Sequence, residues 1–229
     1  MEHGVFADRA EAGALLARTL SARHWPGPCV VLALPRGGVP VGAAVARALK
    51  APMDLLLVRK ICAPWQPELA AAAVVEGDPP LWVVDDATCS DLGLSRQDIE
   101  AQIPKESMEI ERRRRAYLRG RPRLDVAGAT VIVVDDGIAT GTTVRAALRA
   151  LRARGPARLV LAVPVAAAET LAELKGSVDE LICLHTPKPL RAISQHYRDF
   201  HQVGDEEVIQ TLESLRPSAA PEVRAGHRS

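Results

Sequence analysis

The chain has 229 residues, which predicts one domain, or one domain with a sizeable insertion, since a domain averages about 150 residues. Hydrophobic residues make up 48% and charged residues 25%, which excludes disordered and fibrous proteins. The 29 basic and 28 acidic residues leave a net charge of +1, so no global electrostatic signature of a nucleic-acid partner is present.

Two short apolar runs predict the first strands. Residues 29–34 and 53–58 are continuous runs between turn-forming residues, a pattern typical of buried strands in a parallel sheet. The first run is followed by Arg36, Gly37 and Gly38, and the second by Arg59 and Lys60. The two glycines let backbone N–H groups approach an oxyanion closely, and Arg36 adds a fork of donors. A simple glycine-rich turn and an ordinary basic surface remain the alternatives.

Residues 81–84 predict a further strand, and residues 86–125 form a long insertion in which 95–118 reads as helical. Four arginines at 112–115 lie in this helix. Because Glu109–Arg113 and Glu111–Arg115 are i,i+4 pairs in the favourable orientation, we interpret the run as a solvated helix face. This interpretation argues against nucleic-acid binding and predicts that Arg113→Ala leaves ligand binding unchanged.

The segment that carries most of the chemical information is residues 130–143. An apolar strand ends at Asp135 and Asp136, and a turn of small and hydroxyl residues leads into a helix. The residues of that turn are Gly137, Ile138, Ala139, Thr140, Gly141, Thr142 and Thr143. Ligands of open α/β sheets bind at the carboxyl ends of strands. The segment therefore predicts a ligand site.

The chemistry of this segment suits a sugar phosphate. Amides, hydroxyls and the positive end of a helix dipole favour a phosphate dianion around residues 140–143. The two carboxylates accept hydrogen bonds from sugar hydroxyls or bind a cation, so together the groups indicate a ribose 5-phosphate. The alternative is an aspartate that caps the next helix. A Walker loop is excluded, because Ala43 and Ala44 stand where its Lys and hydroxyl residue belong.

Residues 158–163 and 180–184 complete the set of strands. Strands that alternate with helices predict a doubly wound α/β fold with a mainly parallel sheet. We expect a single domain over residues 1–216, with a helical insertion at about 86–125 and a C-terminal hood segment at about 185–212. Residues 217–229 have little to bury and are expected to form a mobile tail.

The segment around Asp135 and Asp136 resembles the phosphoribosyl pyrophosphate (PRPP) signature of the type I phosphoribosyltransferases. The similarity extends over about residues 29–184, and the whole chain resembles a bacterial group of these enzymes without an assigned base. The resemblance implies transfer of the 5-phosphoribosyl group of PRPP to a nitrogenous base or a related nucleophile, with release of pyrophosphate. It also implies Mg²⁺ as cofactor and allows a homodimer, since family members often pair.

The resemblance assigns roles to the residues already named. Asp135 and Asp136 would hold the ribose hydroxyls, directly or through hydrated Mg²⁺, and would be the metal ligands. Residues 140–143 would anchor the 5-phosphate, and Gly137 and Ala139 would also contact PRPP. Arg36, Gly37 and Gly38 would form the pyrophosphate loop, with a cis peptide between Pro35 and Arg36. Arg59 and Lys60 would act in catalysis on the departing pyrophosphate, at the entrance to a lid formed by residues 61–69.

Selection of the base is less determined. Ala139 replaces the acid of family members that use 6-oxopurines, which disfavours a hypoxanthine or guanine enzyme, and Asp136 is a candidate for proton transfer instead. Tyr197 and Phe200 are candidates to stack on a planar base, although packing of these rings onto the domain is the favoured interpretation. A PRPP-sensing regulator without turnover and an enzyme that acts on another phosphoribosyl compound remain alternatives.

The sequence also bears on location. No apolar run approaches the roughly 20 residues of a membrane helix, and residues 1–9 include Glu2 and Asp8 without an apolar stretch. The four cysteines form neither a C-x-x-C pair nor a zinc spacing. We therefore expect a reduced, cytoplasmic protein without a membrane partner or a secretory signal.

Overall fold

The computed structural model describes residues 6–63, 65–77 and 79–215. A five-stranded parallel sheet with the order β2-β1-β6-β7-β8 forms its centre. Its strands are β1 (Cys29–Ala33), β2 (Met53–Leu55), β6 (Thr130–Val134), β7 (Arg158–Val165) and β8 (Glu180–His185). This arrangement confirms the predicted parallel α/β sheet. The predicted tail at 217–229 lies outside the described residues.

Helices cover both faces of the central sheet, because the side chains of each strand alternate between two apolar cores. On β1, Val31 packs in one core and Leu32 in the other. The first core includes α1 (Arg9–Ser21), α2 (Gly38–Leu49) and α7 (Asp205–Ser214), and the second includes α5 (Thr142–Ala153) and α6 (Ala168–Leu174). The prediction of a doubly wound fold is therefore confirmed.

A separate antiparallel sheet stands beside the central one. It consists of β3 (Val58–Ala63), β4 (Gln66–Val75) and β5 (Leu81–Val84), in that order. The prediction of one strand over 53–58 is wrong, since the chain leaves the parallel sheet after Leu55 and enters the second sheet at Val58. Leu56 and Leu57, which connect the two sheets, are buried. The apolar run therefore continues through the point where the chain passes from one sheet to the other.

The structure also corrects the interpretation of residues 61–69 and 81–84. Residues 61–63 and 66–69 belong to the strands of a β3–β4 hairpin, so the predicted lid at 61–69 is not a loop over its whole length. β5 pairs antiparallel with β4 and takes no part in the parallel sheet. The prolines obscured the hairpin, and Pro64 itself lies outside the described residues. Trp65, at the hairpin turn, is 64% exposed.

The insertion folds as two helices, α3 (Asp86–Asp91) and α4 (Arg96–Leu118). Ser95 and Asp98 form a capping box at the start of α4, so the predicted helix at 95–118 is confirmed. α4 contacts β3, β4 and α7 and thus forms part of the hood that stands over the central sheet.

The interpretation of residues 112–115 as a solvated face is wrong for Arg114. Its guanidinium is buried and donates to Glu76 at 2.7 Å and to Asp54 at 3.0 Å. Glu111 pairs with Arg123 through its carboxylate, while Arg115 donates to the backbone carbonyl of Glu111. Glu109 does pair with Arg113, as the spacing predicted.

The chain after β8 crosses back over the sheet. A short 3₁₀ helix (Ile193–His196) precedes Tyr197, which forms an isolated parallel bridge with Phe6, and α7 follows. α7 packs on α2 and α4. In the described part of the chain, no helix has the length and apolarity that crossing a membrane requires.

Candidate functional site

The site lies where β1 and β6 end side by side. These strands are parallel neighbours, and Ala33 pairs in register with Val134. The loops that follow them, residues 34–37 and 135–141, therefore leave the sheet at the same edge. This edge is where open α/β sheets bind their ligands.

The two loops touch so closely that only glycine fits between them. A Cβ atom on Gly37 would lie 2.0 Å from Oδ2 of Asp136, and one on Gly38 would lie 2.8 Å from the carbonyl oxygen of Val134. The Pro35–Arg36 peptide is cis, as the resemblance implied. The predicted pyrophosphate loop and the acidic pair therefore form one continuous surface.

The acidic pair is partly shielded from solvent and bonded internally. An oxygen of the Asp135 carboxylate accepts from the backbone N–H of Asp136 at 2.8 Å. Burial, followed by repulsion from the Asp136 carboxylate, raises the pKa of Asp135 well above its usual range. Asp135 therefore holds a proton more readily than an exposed aspartate does.

Arg9, which no sequence motif indicated, compensates the negative charge of the acidic pair. Nε of Arg9 donates to Oδ2 of Asp136 at 2.8 Å, and the Arg9 side chain is only 8% exposed. Its guanidinium lies 3.8 Å from the centre of the Phe200 ring and donates to the carbonyl of His201 at 2.8 Å. A single arginine at a helix start, 127 residues from its partner, carries no sequence signal.

Residues 137–143 form an open turn at the start of α5. Ile138 is anchored by a hydrogen bond from its N–H to the carbonyl of Val165, and the carbonyl of Ala139 accepts from the Thr170 hydroxyl at 2.6 Å. Gly141 has a φ of +71°, which other residues rarely adopt.

The amides of this turn face no protein acceptor. Within the described residues, the N–H groups of Thr140, Gly141, Thr142 and Thr143 donate no hydrogen bond. They lie at the positive end of a twelve-residue helix, an environment that favours an anion. The structure thus places all of the predicted phosphate-loop residues together, next to the acidic pair.

The structure separates the basic pair Arg59 and Lys60. Successive side chains of a strand point to opposite faces, and Arg59 turns towards α4, where its Nε donates to Glu106 at 2.8 Å. Lys60 is exposed. Of the two, it is Arg59 that lines a small cavity beside the loop of residues 34–36.

Arg113, which the sequence predicted to lie on a solvated helix face, lines that cavity. Its walls come from the ends of β1 and β2, from β3, from α4 and from the start of α5, and they comprise Leu34, Pro35, Leu56, Leu57, Val58, Arg59, Ile110, Arg113 and Thr143. Arg113 therefore faces the site. The expectation that Arg113→Ala leaves ligand binding unchanged rested on a solvated helix face, and this placement removes that basis.

The C-terminal segment supports the site from the side opposite α4. The hydroxyl of Tyr197 donates to the backbone carbonyl of Asp136 at 2.6 Å, and the Tyr197 ring packs against Phe6 and Phe200. Burial raises the pKa of Tyr197. This packing is the interpretation that the sequence favoured, and stacking of either ring on a base stays a prediction.

Arg36 extends away from the turn towards the hood. Its guanidinium lies 3.3 Å from a carboxylate oxygen of Asp205, the first residue of α7, and that same oxygen accepts from the Tyr117 hydroxyl at 2.8 Å. The side chain of Arg36 is thus positioned by α7 and α4, and not by the β1–α2 turn to which Arg36 belongs.

Comparisons with known proteins agree with this geometry. The family model described as a phosphoribosyl transferase domain matches residues 8–193. Two Mycobacterium tuberculosis proteins (strains CDC 1551 / Oshkosh and ATCC 25618 / H37Rv), provisionally named phosphoribosyl transferases, are 42% identical over 209 residues, which is 91% of this chain and 46% of theirs. The chain thus spans about half the length of these relatives.

A solved structure gives the same result for the fold. The crystal structure of TT1426 from Thermus thermophilus superposes with a TM-score of 0.80 at 39% sequence identity, covering 93% of this chain and 100% of that one. The family match covers the central sheet, the second sheet, α4 and both loops of the site, and it ends before α7. The chain belongs to the phosphoribosyl transferase family.

Proposed function

We propose that this protein transfers the 5-phosphoribosyl group of PRPP to a nitrogen nucleophile and releases pyrophosphate. The observation that carries the proposal is the contact between Gly37 and Asp136, which would leave only 2.0 Å between a Cβ atom and the carboxylate. A loop suited to pyrophosphate and a carboxylate suited to ribose therefore lie within the span of one PRPP molecule.

A different group of residues binds each part of PRPP. The open amides and hydroxyls of Thr140, Thr142 and Thr143 bind the 5-phosphate, and the carboxylates of Asp135 and Asp136 accept hydrogen bonds from the ribose hydroxyls. Gly37 brings its backbone N–H group to the pyrophosphate, and Arg59 offers a guanidinium. The N–H of Gly38 already donates to the carbonyl of Leu34 at 3.0 Å, so the predicted contact of that amide with pyrophosphate is wrong. The site thus matches the ligand by charge from end to end.

The carboxylate pair also fits a magnesium ion that arrives with the substrate. Among the described residues, no group of three or more His, Cys, Asp or Glu side chains is arranged to hold a metal. Mg²⁺ commonly takes one or two carboxylates and completes its shell with phosphate oxygens and water, so Asp135 and Asp136 would suffice. When bound, the ion neutralises charge on the pyrophosphate.

The reaction exchanges one bond at the ribose C1 atom. The bond from C1 to the pyrophosphate oxygen breaks and its electron pair leaves with pyrophosphate, while the nucleophile nitrogen donates a pair to C1 and later loses a proton. The protein contributes positioning and fixed charges. Ala139 bears no acid, so the proton passes to another group, for which Asp136 is the nearest carboxylate in the same loop.

The test is pyrophosphate release from the purified protein. We expect release with Mg²⁺, PRPP and one member of a panel of purines, pyrimidines and small amides, and no release when the nucleophile is omitted. Tight PRPP binding without release across the whole panel would contradict the transferase and favour a PRPP-sensing regulator. Absence of PRPP binding would contradict both.

A further inference from the structure

Helix α4 contributes an arginine to the edge of the site that faces pyrophosphate. Arg113 and Arg59 line the same cavity, together with Pro35 of the loop after β1 and Thr143 of the first turn of α5. The cavity therefore opens between the proposed pyrophosphate loop and the proposed phosphate turn. Both arginines therefore border the space next to the two loops.

We propose that Arg113 is a further pyrophosphate-binding residue, contributed by the helical insertion and acting as a pair with Arg59. The proposal rests on the proposed function, and it concerns a residue outside the segments that suggested that function. It gives the insertion a direct part in binding the substrate.

The hydrogen bonds of the two arginines leave donors available. Each is anchored through Nε, Arg113 to Glu109 at 2.8 Å and Arg59 to Glu106 at 2.8 Å. The Nη groups of both side chains meet no acceptor among the described residues. A guanidinium fixed by one edge and open at the other is prepared to bind phosphoryl oxygens in a bidentate manner.

The local charge is also unbalanced in favour of an anion. Glu109 accepts from both Arg112 and Arg113, so one carboxylate faces two guanidiniums and a positive charge remains. These hydrogen bonds lower the pKa of Glu109 to about 2, so the carboxylate keeps Arg113 oriented throughout the neutral range. The lining of the cavity is therefore cationic at Arg59 and Arg113 and apolar at Leu34, Leu56 and Leu57.

Arg112 supplies a matched control within the same ion-pair group. It shares the Glu109 carboxylate with Arg113, but it is 65% exposed and takes no part in the cavity wall. Replacement of either arginine by methionine keeps most of the aliphatic stem and removes the guanidinium. A loss caused by weakening Glu109 or α4 would appear in both variants, whereas loss of a ligand contact would appear in one.

The experiment measures calorimetric binding of pyrophosphate, PRPP and ribose 5-phosphate, with Mg²⁺, to the wild-type protein, Arg113→Met and Arg112→Met. We expect Arg113→Met to weaken pyrophosphate and PRPP binding about tenfold, as loss of a charge-assisted hydrogen bond does, and to leave ribose 5-phosphate binding unchanged. We expect Arg112→Met to match the wild type, and Arg113→Lys to recover part of the loss.

Three results would overturn the inference, and they are distinguishable. If Arg113→Met binds pyrophosphate as tightly as the wild type does, the role of Arg113 is contradicted and the proposed function is not. An equal loss for all three ligands would assign Arg113 a merely structural role. A wild-type protein that binds neither PRPP nor pyrophosphate would contradict the proposed function as well.

Discussion

Asp136 is held from three directions that only the folded chain brings together. Gly37 approaches its carboxylate from the loop after β1, Arg9 pairs with it from the start of α1, and Tyr197 binds its backbone carbonyl from the C-terminal segment. The local motif predicted the carboxylate, because a strand end followed by a hydroxyl-rich turn is visible in sequence. Its partners were not predictable, since tertiary contacts over such separations leave no local pattern.

The pairing of Arg9 with Asp136 predicts a pH effect on binding. Burial and the Asp136 charge raise the pKa of Asp135, and Arg9 lowers it. Arg9→Met therefore raises that pKa further, so the carboxylate is protonated sooner as the pH falls. We expect ribose 5-phosphate affinity, measured by titration without divalent cations, to decline at a higher pH in this variant than in the wild type.

The control for this effect is Arg18→Met, which removes an exposed arginine from the same helix. It should follow the wild-type pH profile. Coincident acid limbs for Arg9→Met and the wild type would contradict the electrostatic role assigned to Arg9.

The close approach at Gly37 predicts that a single methyl group disrupts the site. In Gly37→Ala the new Cβ would overlap Oδ2 of Asp136, so the carboxylate or the loop must shift. We expect PRPP affinity to fall at least tenfold, since removing a charge-assisted contact has about that effect. Gly176→Ala, where a Cβ meets open space, is the control in the same calorimetric titration, and equal affinities for the two variants would refute the contact.

Among the elements, α4 departs furthest from what its sequence suggested. Its bounds were predictable, because Ser95 and Asp98 form a recognisable capping box. The surroundings of the four arginines were not predictable, since four consecutive residues on a helix point in four directions about 100° apart. Arg112 faces solvent, Arg113 lines the site cavity and Arg114 is buried, and charge alone does not distinguish these fates.

The buried arginine of α4 predicts a large effect on stability. Arg114, Asp54 and Glu76 have side chains that are 7%, 6% and 3% exposed, and together they tie α4 to β2 and to the residue after β4. Arg114→Met removes the arginine that pairs with the buried carboxylate of Asp54 and leaves that of Glu76 with Arg123 alone, at 3.6 Å. We expect the free energy of unfolding, measured with denaturant, to fall by about 3–5 kcal/mol.

This loss should depend on pH. Burial raises the pKa of Glu76 while Arg114 lowers it. Without Arg114, the pKa of Glu76 in the folded protein therefore lies still further above its pKa in the unfolded chain. A carboxyl with a raised pKa favours the folded state as the pH falls. The loss should therefore be larger near pH 8 than near pH 5.

The control for Arg114 is its neighbour Arg115, which is exposed. Arg115→Met should change the free energy of unfolding by no more than about 0.5 kcal/mol. A loss of the same size in Arg115→Met would contradict the assignment of the effect to the buried ion pairs.

The second sheet illustrates a limit of pattern reading at the same scale. β4 contains four consecutive alanines that are all buried, Ala70 to Ala73, and a short alanine run is equally compatible with a helix, a strand or a turn. The strand forms because β3 and β5 flank it and cover its two edges. Such pairing is a property of neighbours, which a single segment does not reveal.

At the scale of the whole molecule, the alternation of strands and helices predicted the parallel α/β architecture. It also extended β2 to residue 58 and counted residues 81–84, which belong to the second sheet, among the strands. The five strands of the central sheet and the helices on its two faces follow from apolar periodicity and from the turns between them. The hood was predicted only as an insertion at 86–125 and a segment at 185–212, because its sheet uses residues 58–84 that resemble ordinary core. Homodimer formation and the single-domain boundary at residue 216 stay predictions.

The length of the relatives adds a further expectation. The chain corresponds to 46% of each Mycobacterium tuberculosis protein, so the activity proposed here belongs to the part that the two share. The residues named in the proposed site lie between Arg9 and Asp205 and are all among those that the structure describes.

The most direct test is calorimetric titration of PRPP, with Mg²⁺, into the wild-type protein and into a variant with Asp135→Asn and Asp136→Asn. Asp91→Asn plus Asp125→Asn, at two exposed positions, serves as the matched control. The account predicts that the wild type and the control bind PRPP alike and that the first variant loses at least tenfold in affinity. Undiminished binding by the variant without the acidic pair would contradict the assignment of those carboxylates to ribose.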